Sequence, residues 1–530
     1  MTTTKTDFQV QPETPDGTAQ IRLPGLTLAM LDGLAQVLAP YLRAGDVVTL
    51  TGDLGAGKTT FARFLIGAVA GEDVEVASPT FSLVQSYETP RVEIHHYDLY
   101  RLEGPDELRE LGFDEASADG LVLVEWPERL GDALPADRLD VALAESAEAD
   151  KRDVTITGFG GWAQRLERFR AATDFQNKAG WGAASARFLA GDASVRSYVR
   201  LQRGDDRAVL MDWAPQPDGP PLADGLPYSR IAHLAEDVGP FIALARALGE
   251  AGLPVPEIIA QDTARGFLLI EDFGDFVLGK LVERAGEVGT LYRPAVDLLL
   301  RLRRTAVPRA LPVEDGRTHR LPDYDKRALH AETALLLDWF LPAMTGADVD
   351  QAARGEFAAL WEAQFDWLAG QETGLVLRDY HSPNLLALMP GDPRGPLGVI
   401  DFQDAVIGHP AYDLVSLLQD ARLTVPPDVE AALFKHYCAQ AEQDGGFDAD
   451  AFARAYALLG AQRNTKILGI FARLALRDGK TAYLAHLPRV RAYLERDLQH
   501  PALAPLRAWY ARHMPGRVDA QTIARAGAGR

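Results

Sequence analysis

Gly52-Asp53-Leu54-Gly55-Ala56-Gly57-Lys58-Thr59 is the stretch that decides the first half of this chain. It fits G-x-x-x-x-G-K-[ST], follows a short apolar run at 46–50 and precedes a helical pattern at 61–69. Strand, glycine-rich turn and helix is the order a phosphate cradle needs. Glycines let main-chain N–H groups approach phosphates without a side-chain clash, and the helix N-terminus adds partial positive charge. Lys58 is expected to bridge the β- and γ-phosphates, and the Thr59 hydroxyl to ligate Mg²⁺. The nucleotide-binding run is taken to include Thr60.

Around this motif the apolar spacing predicts a helix over 27–42 with Thr27 as N-cap, and strands near 92–95, 121–124, 138–143 and 153–157. Gly158-Phe159-Gly160-Gly161 breaks that pattern. A polar helix over 162–172 follows, and a domain boundary is placed near 165. Residues 1–18 read as a frayed tail.

A second site lies far downstream, in Leu377-Arg378-Asp379-Tyr380-His381-Ser382-Pro383-Asn384. An Asp followed five residues later by an Asn is the spacing of a kinase catalytic loop. Asp379 would accept the proton of the attacking hydroxyl, and Asn384 would ligate Mg²⁺. Asp401, in Val399-Ile400-Asp401-Phe402, ends a predicted strand and supplies the second metal-binding acid. The chain therefore carries two separate sites for ATP and Mg²⁺.

Composition narrows the partners. The net charge of -21 argues against broad affinity for nucleic-acid backbone or anionic lipid. The single cysteine, Cys438, cannot form an internal disulfide, which suits a reducing compartment, and the N-terminus lacks a signal-peptide pattern. A cytoplasmic protein that does not engage membranes is expected.

Further motifs in the first half are Ser78-Pro79-Thr80-Phe81, His95-His96-Tyr97-Asp98-Leu99-Tyr100-Arg101, Leu111-Gly112-Phe113-Asp114 and Val124-Glu125-Trp126-Pro127-Glu128-Arg129. In this order they resemble the TsaE family of P-loop ATPases over about residues 20–158. The resemblance implies support of threonylcarbamoyl-adenosine synthesis at position 37 of certain tRNAs, with TsaB and TsaD as partners and tRNA met only through that complex. It places Thr59 and Glu125 near Mg²⁺, Asp98 as the catalytic or water-orienting acid, Thr80 in a switch-like segment and Trp126 beside the nucleotide. Asp98 also reads as a turn acid. His95 and His96, adjacent on a strand, point to opposite faces, so a packing role is expected of either and no metal is assigned.

The second half, with Gly408-His409-Pro410-Ala411-Tyr412-Asp413-Leu414 after the catalytic stretch, resembles the aminoglycoside-phosphotransferase-like kinases. Asp413 reads as a structural acid. Leu189-Ala190-Gly191-Asp192-Ala193-Ser194 looks like a phosphate-covering turn, and Leu269-Ile270-Glu271-Asp272-Phe273-Gly274 like a lobe hinge whose Glu271 and Phe273 hold adenine. With Leu210-Met211-Asp212, these are similar to anomeric kinases of cell-wall recycling, which phosphorylate N-acetylmuramate and N-acetylglucosamine at the C1 hydroxyl. That likeness covers about residues 168–510. Asp192, Glu271 and His381 are candidate sugar contacts. Two departures stand out: Leu377 replaces the usual histidine, and Val209-Leu210-Met211-Asp212-Trp213 lacks the phosphate-binding Lys.

The expected architecture is an α/β P-loop NTPase domain followed by an α+β bilobal, protein-kinase-like domain. The tail covers 1–18, the ATPase domain 19–165, the kinase N-lobe 166–275 and the mostly helical C-lobe 276–530. Three alternatives stand beside the bifunctional reading: an assembly partner with slow ATPase, an antibiotic phosphotransferase, and a pseudokinase.

Overall fold

A computed structural model describes residues 9–11, 18–71, 76, 79, 82–89, 91–102, 111–189, 196–223, 225–314, 316–516 and 519–528. The chain divides into two compact units. One comprises Met1–Ala214 with Ile259–Asp272, the other Pro215–Ile258 with Phe273–Arg530.

The first unit holds an eight-stranded sheet of β1 (Gln9–Gln11), β2 (Ala19–Leu26), β3 (Val47–Thr51), β4 (Val84–Tyr87), β5 (Ile94–Asp98), β6 (Leu121–Glu125), β7 (Arg138–Glu145) and β8 (Arg152–Phe159). Their spatial order is β1-β2-β8-β7-β3-β6-β5-β4. The strands β7, β3, β6 and β5 run parallel, and the flanking pairs are antiparallel. Every residue of β6 is buried, as expected of a parallel strand covered on both faces. Parallel strands end at one edge of a sheet, where ligands of open α/β folds bind. Here that edge gathers the loop after β3, Asp98 at the end of β5 and Glu125 at the end of β6. Asp98 and Glu125 are cross-strand partners.

Helix α1 (Leu28–Leu38) starts at Thr27, whose hydroxyl accepts the Met30 N–H at 3.4 Å. It stops short of the expected residue 42 because Pro40 turns the chain into a 3₁₀ segment. Helix α2 (Lys58–Ala70) begins where the P-loop ends, α3 is Phe113–Asp119, and α4 runs unbroken over Gly161–Lys178. The expected polar helix at 162–172 is thus longer and half-sunk. Trp162, Leu166 and Phe169 pack in the core of the eight-stranded sheet, and Ala172 and Phe175 in that of the next sheet. Arg165 binds Asp46 at 2.5 and 2.8 Å and Arg168 binds Asp212 at 2.5 and 2.9 Å, tying down both halves of α4.

That next sheet has five strands: β9 (Ser185–Leu189), β10 (Ser197–Arg203), β11 (Asp206–Asp212), β12 (Ile258–Asp262) and β13 (Phe267–Glu271), in the order β12-β13-β11-β10-β9.

The second unit is mainly helical. The 30-residue helix Ala449–Asp478 runs through its centre, among aromatic side chains such as Phe357, Trp361, Phe471 and Trp509. Two short ribbons frame the second site: Gly374–Val376 pairs with Val406–Gly408, and Leu385–Ala387 with Leu397–Val399. This nesting brings the 377–384 loop and the turn around Asp401 together. The Ile400 N–H donates to Asn384 O at 3.0 Å.

Candidate active sites

The P-loop site is built from backbone constraints first. Gly52 has φ 138°, and a Cβ there would lie 2.2 Å from Leu143 O, so only glycine lets β7 come this close. Gly57, with φ 103°, turns the chain directly into α2. Lys58 Nζ donates to Gly52 O at 2.7 Å and to Asp53 O at 3.0 Å, and lies 3.7 Å from the Trp126 ring centroid. Burial lowers the Lys58 pKa, and Glu125, Glu128, Asp98 and Asp53 oppose that.

Thr59 Oγ1 donates to Glu125 Oε2 at 2.9 Å, and Glu125 Oε1 lies 3.0 Å from His96 Nε2. His96 is fully buried, and its Nδ1 has no partner. His95, pointing the other way, meets Ser86 Oγ at 2.8 Å. The alternation of the two histidines is as expected, yet His96 does more than pack: it orients the Glu125 carboxylate. Asp98 is buried and accepts the Tyr100 N–H at 3.2 Å, a turn contact that leaves it at the same sheet edge.

In the second site, Asp413 clamps the main chain of the 377–384 loop. Its carboxylate accepts the N–H groups of Leu377 at 2.7 Å and Arg378 at 2.9 Å. Burial lifts Asp413 to about 7 despite those donors. It acts through the loop, in keeping with a structural acid. Asn384 Nδ2 donates to Asp379 O at 2.9 Å and to Asp401 Oδ2 at 3.4 Å, so Oδ1 stays outside both bonds. Gln403 Nε2 holds Asp401 Oδ1 at 3.0 Å. Burial alone would raise the Asp379 pKa, but His381, Lys466 and Arg378 outweigh it and hold the carboxyl low. His381 is buried, its pKa lowered by that burial, and its Nδ1 has no partner.

Six described non-glycine residues have positive φ. Three of them adjoin or are site acids: Trp126 follows Glu125, Arg378 precedes Asp379, and the third is Asp401. Backbone strain of about 1–3 kcal/mol per residue persists where the surroundings enforce it, often at functional sites.

Both oxygen sets suit Mg²⁺, a hard cation that takes one or two protein oxygens and keeps several waters. They are Thr59 with Glu125, and Asn384 with Asp401. Among the described residues no group of three or more His, Cys, Asp or Glu side chains forms a metal site.

Residues 27–154 match the family model "Threonylcarbamoyl adenosine biosynthesis protein TsaE", and residues 185–456 match "Phosphotransferase enzyme family". The chain is 41% identical over 145 residues to the TsaE protein of Rickettsia felis, covering 27% of this chain and 84% of that relative. It is 38% identical over 358 residues to the N-acetylmuramate/N-acetylglucosamine kinase of Caulobacter vibrioides, covering 66% of this chain and 97% of that relative. The chain belongs to both families. A solved structure of an aminoglycoside 2'-phosphotransferase matches 64% of this chain and 99% of its own at 17% identity, with a TM-score of 0.41.

In the kinase-family half, the strand that lacks the expected Lys pairs with β10, Met211 lying opposite Tyr198. Two arginines, Arg187 and Arg200, face each other across β9–β10 on the same side of the sheet. Arg200 is ion-paired with Asp272 at 2.6 Å. Glu271 ends β13, opposite Ala208. The Phe273 ring lies against Gly398, where a Cβ would come within 2.4 Å of it. Thr80, Asp192 and the turn at 190–194 lie outside the described residues.

Several residues at the second site belong to no sequence motif. Gln403 follows Asp401 by two and had that short spacing as a signal. Glu332 and Lys466, which surround Arg378, sit in helices with no motif to mark them.

In the TsaE-family half, Glu125→Gln is expected to weaken nucleotide binding in Mg²⁺ by about tenfold, the scale of one lost charged contact. Binding in EDTA should stay unchanged, and titration with a fluorescent ADP in both buffers checks this.

Proposed function

We propose that the two sites run separate ATP-dependent reactions. In the first domain, ATP bound to Gly52, Asp53, Leu54, Gly55, Ala56, Gly57, Lys58, Thr59 and Thr60 is hydrolysed in support of threonylcarbamoyl-adenosine formation on tRNA, with TsaB- and TsaD-like partners. Asp98 orients the attacking water, and Trp126 packs near the nucleotide. In the second domain, the γ-phosphoryl group of ATP passes to the C1 hydroxyl of N-acetylmuramate or N-acetylglucosamine.

The observation that carries the kinase reading is the cluster of Asp379, Asn384 and Asp401, fixed by main-chain bonds to Asp413 and by Gln403. Asp379 accepts the hydroxyl proton as the sugar oxygen bonds to phosphorus. The bond from the γ-phosphorus to the bridging oxygen breaks, and its electron pair leaves with ADP. Mg²⁺, when bound, neutralises charge on the phosphate oxygens. Asn384 and Asp401 would hold it here, and Thr59 and Glu125 in the first domain. Among the described residues nothing hydrogen-bonds the Phe273 main chain, which supports its use for adenine.

A cytoplasmic setting fits Cys438, whose thiol burial lifts to about 11 and so keeps unreactive. Among the described residues no helix is long and apolar enough to cross a membrane.

Incubation of the chain with Mg-ATP and either sugar is expected to give a sugar 1-phosphate, identified by phosphorus coupling to the anomeric proton in NMR. Phosphate on kanamycin with none on either amino sugar would overturn this reading in favour of an antibiotic phosphotransferase.

A further inference from the structure

A cleft of about 580 Å³ in the second unit is lined by Arg230, His233, Arg317, His319, Arg320 and Gln403, among others. Its volume is that of a small-molecule site. One contact ties its wall to the proposed metal-binding acid Asp401, and a second to its neighbour Asp404. Gln403 holds Asp401 at 3.0 Å, and the N–H of Ala235, also in the wall, donates to Asp404 at 2.6 Å.

The lining has polar groups left over. Gln403 is 3% exposed, yet its Oε1 has no hydrogen-bond partner. His319 Nε2 is likewise buried and unpartnered. Arg230 is neutralised by Asp218 at 2.9 Å and Glu236 at 3.6 Å, and His233 faces Asp325 at 3.3 Å. The acids of the wall are committed too: Glu236 also accepts from Ser229 at 2.8 Å, and Asp237 accepts the Gly239 N–H at 2.7 Å. Among the described residues the guanidinium groups of Arg317 and Arg320, both exposed at the cleft mouth, have no hydrogen-bond or ion-pair partner. In a chain of net charge -21, two uncompensated arginines in one cleft beside the phosphotransfer acids single out an anionic ligand. A planar, forked guanidinium matches a carboxylate.

We infer that this cleft is the acceptor-sugar subsite and that Arg317 and Arg320 bind the carboxylate of an acidic amino sugar, with Gln403 Oε1 accepting a hydroxyl or amide hydrogen of the same sugar. This rests on the amino-sugar reading above. It explains how one site serves two substrates: N-acetylmuramate carries a lactyl carboxylate, which N-acetylglucosamine lacks. The arginines then set acidic-sugar preference without touching the reacting hydroxyl.

The test measures initial rates of the full chain and its Arg317→Ala, Arg320→Ala and double variants with each sugar and with ATP varied. The double variant should raise KM for N-acetylmuramate about 10- to 100-fold, the range for a lost charge-assisted hydrogen bond, and leave KM for N-acetylglucosamine and ATP unchanged. Arg317→Lys with Arg320→Lys should restore part of the loss. Retained N-acetylglucosamine turnover shows that the variants fold. Equal effects on both sugars, or no effect on either, overturn the subsite. A raised KM for ATP instead assigns the arginines to nucleotide phosphate and also overturns it. If the unmodified chain phosphorylates neither sugar, the amino-sugar reading itself fails and takes this inference with it.

Discussion

Asp379→Asn is expected to lower sugar phosphorylation by about 10³-fold, within the usual range for loss of a general base, while ATP hydrolysis at the P-loop is unchanged. The substitution keeps the shape and removes only the proton acceptor. The loop should hold its form, because Asn384 binds the main-chain oxygen of Asp379 and Asp413 binds the N–H groups of Leu377 and Arg378. Sugar KM should therefore change little while kcat falls. Lys58→Ala is the reciprocal change. It removes the ammonium bound to Gly52 O and Asp53 O and should abolish P-loop hydrolysis while sparing the kinase. Both rates are measured on the same preparations, hydrolysis by phosphate release without sugar and transfer by sugar phosphate formed. Loss of both activities from either variant would refute two independent sites.

The parts legible in the sequence were those whose chemistry is local. The P-loop is contiguous, and its glycines are dictated by backbone geometry at Gly52 and Gly57. The 379–384 loop and Asp401 are separated by one ribbon, so their spacing carried meaning. Less legible were contacts made across long sequence distances. The role of His96 depends on Glu125, 29 residues away, meeting it from the neighbouring strand. Helix α4 looked polar because its buried residues are divided between two cores. The cleft arginines lie in the turn and second strand of a short hairpin that pairs Ala310–Pro312 with Thr318–Arg320, too short for a periodic signal, and only the folded chain sets Arg317 and Arg320 beside Gln403.

The least legible residue has the largest expected effect on stability. Glu332 is fully buried in Lys326–Leu335. It accepts from Arg378 Nη2 at 2.5 Å, Lys466 Nζ at 2.7 Å, Gln462 Nε2 at 2.9 Å and the Tyr324 hydroxyl. Burial would raise its pKa, but Lys466 and Arg378 outweigh burial and bring it from 4.5 to about 2. A carboxyl with a depressed folded pKa stabilises the fold above its unfolded pKa and loses that contribution as pH falls through the folded one. The gap from 4.5 to about 2 corresponds to about 3 kcal/mol at neutral pH, lost progressively as pH falls from about 5 to 2. Glu332→Gln leaves the buried Arg378 and the partly buried Lys466 without their shared ion-pair partner and should cost about 3–5 kcal/mol. It should also flatten the acid limb of the stability curve in that window. Hydrogen exchange of the segments 326–335 and 449–478, followed from pH 2 to 7, reads this unit apart from the other. An unchanged acid limb in the variant would show that the network does not set the acid sensitivity. Function should follow stability here, because the Arg378 guanidinium held by Glu332 also donates to Ala232 O at 2.7 Å and fixes the residue just before Asp379. Surviving variant protein should therefore bind nucleotide yet transfer phosphate slowly.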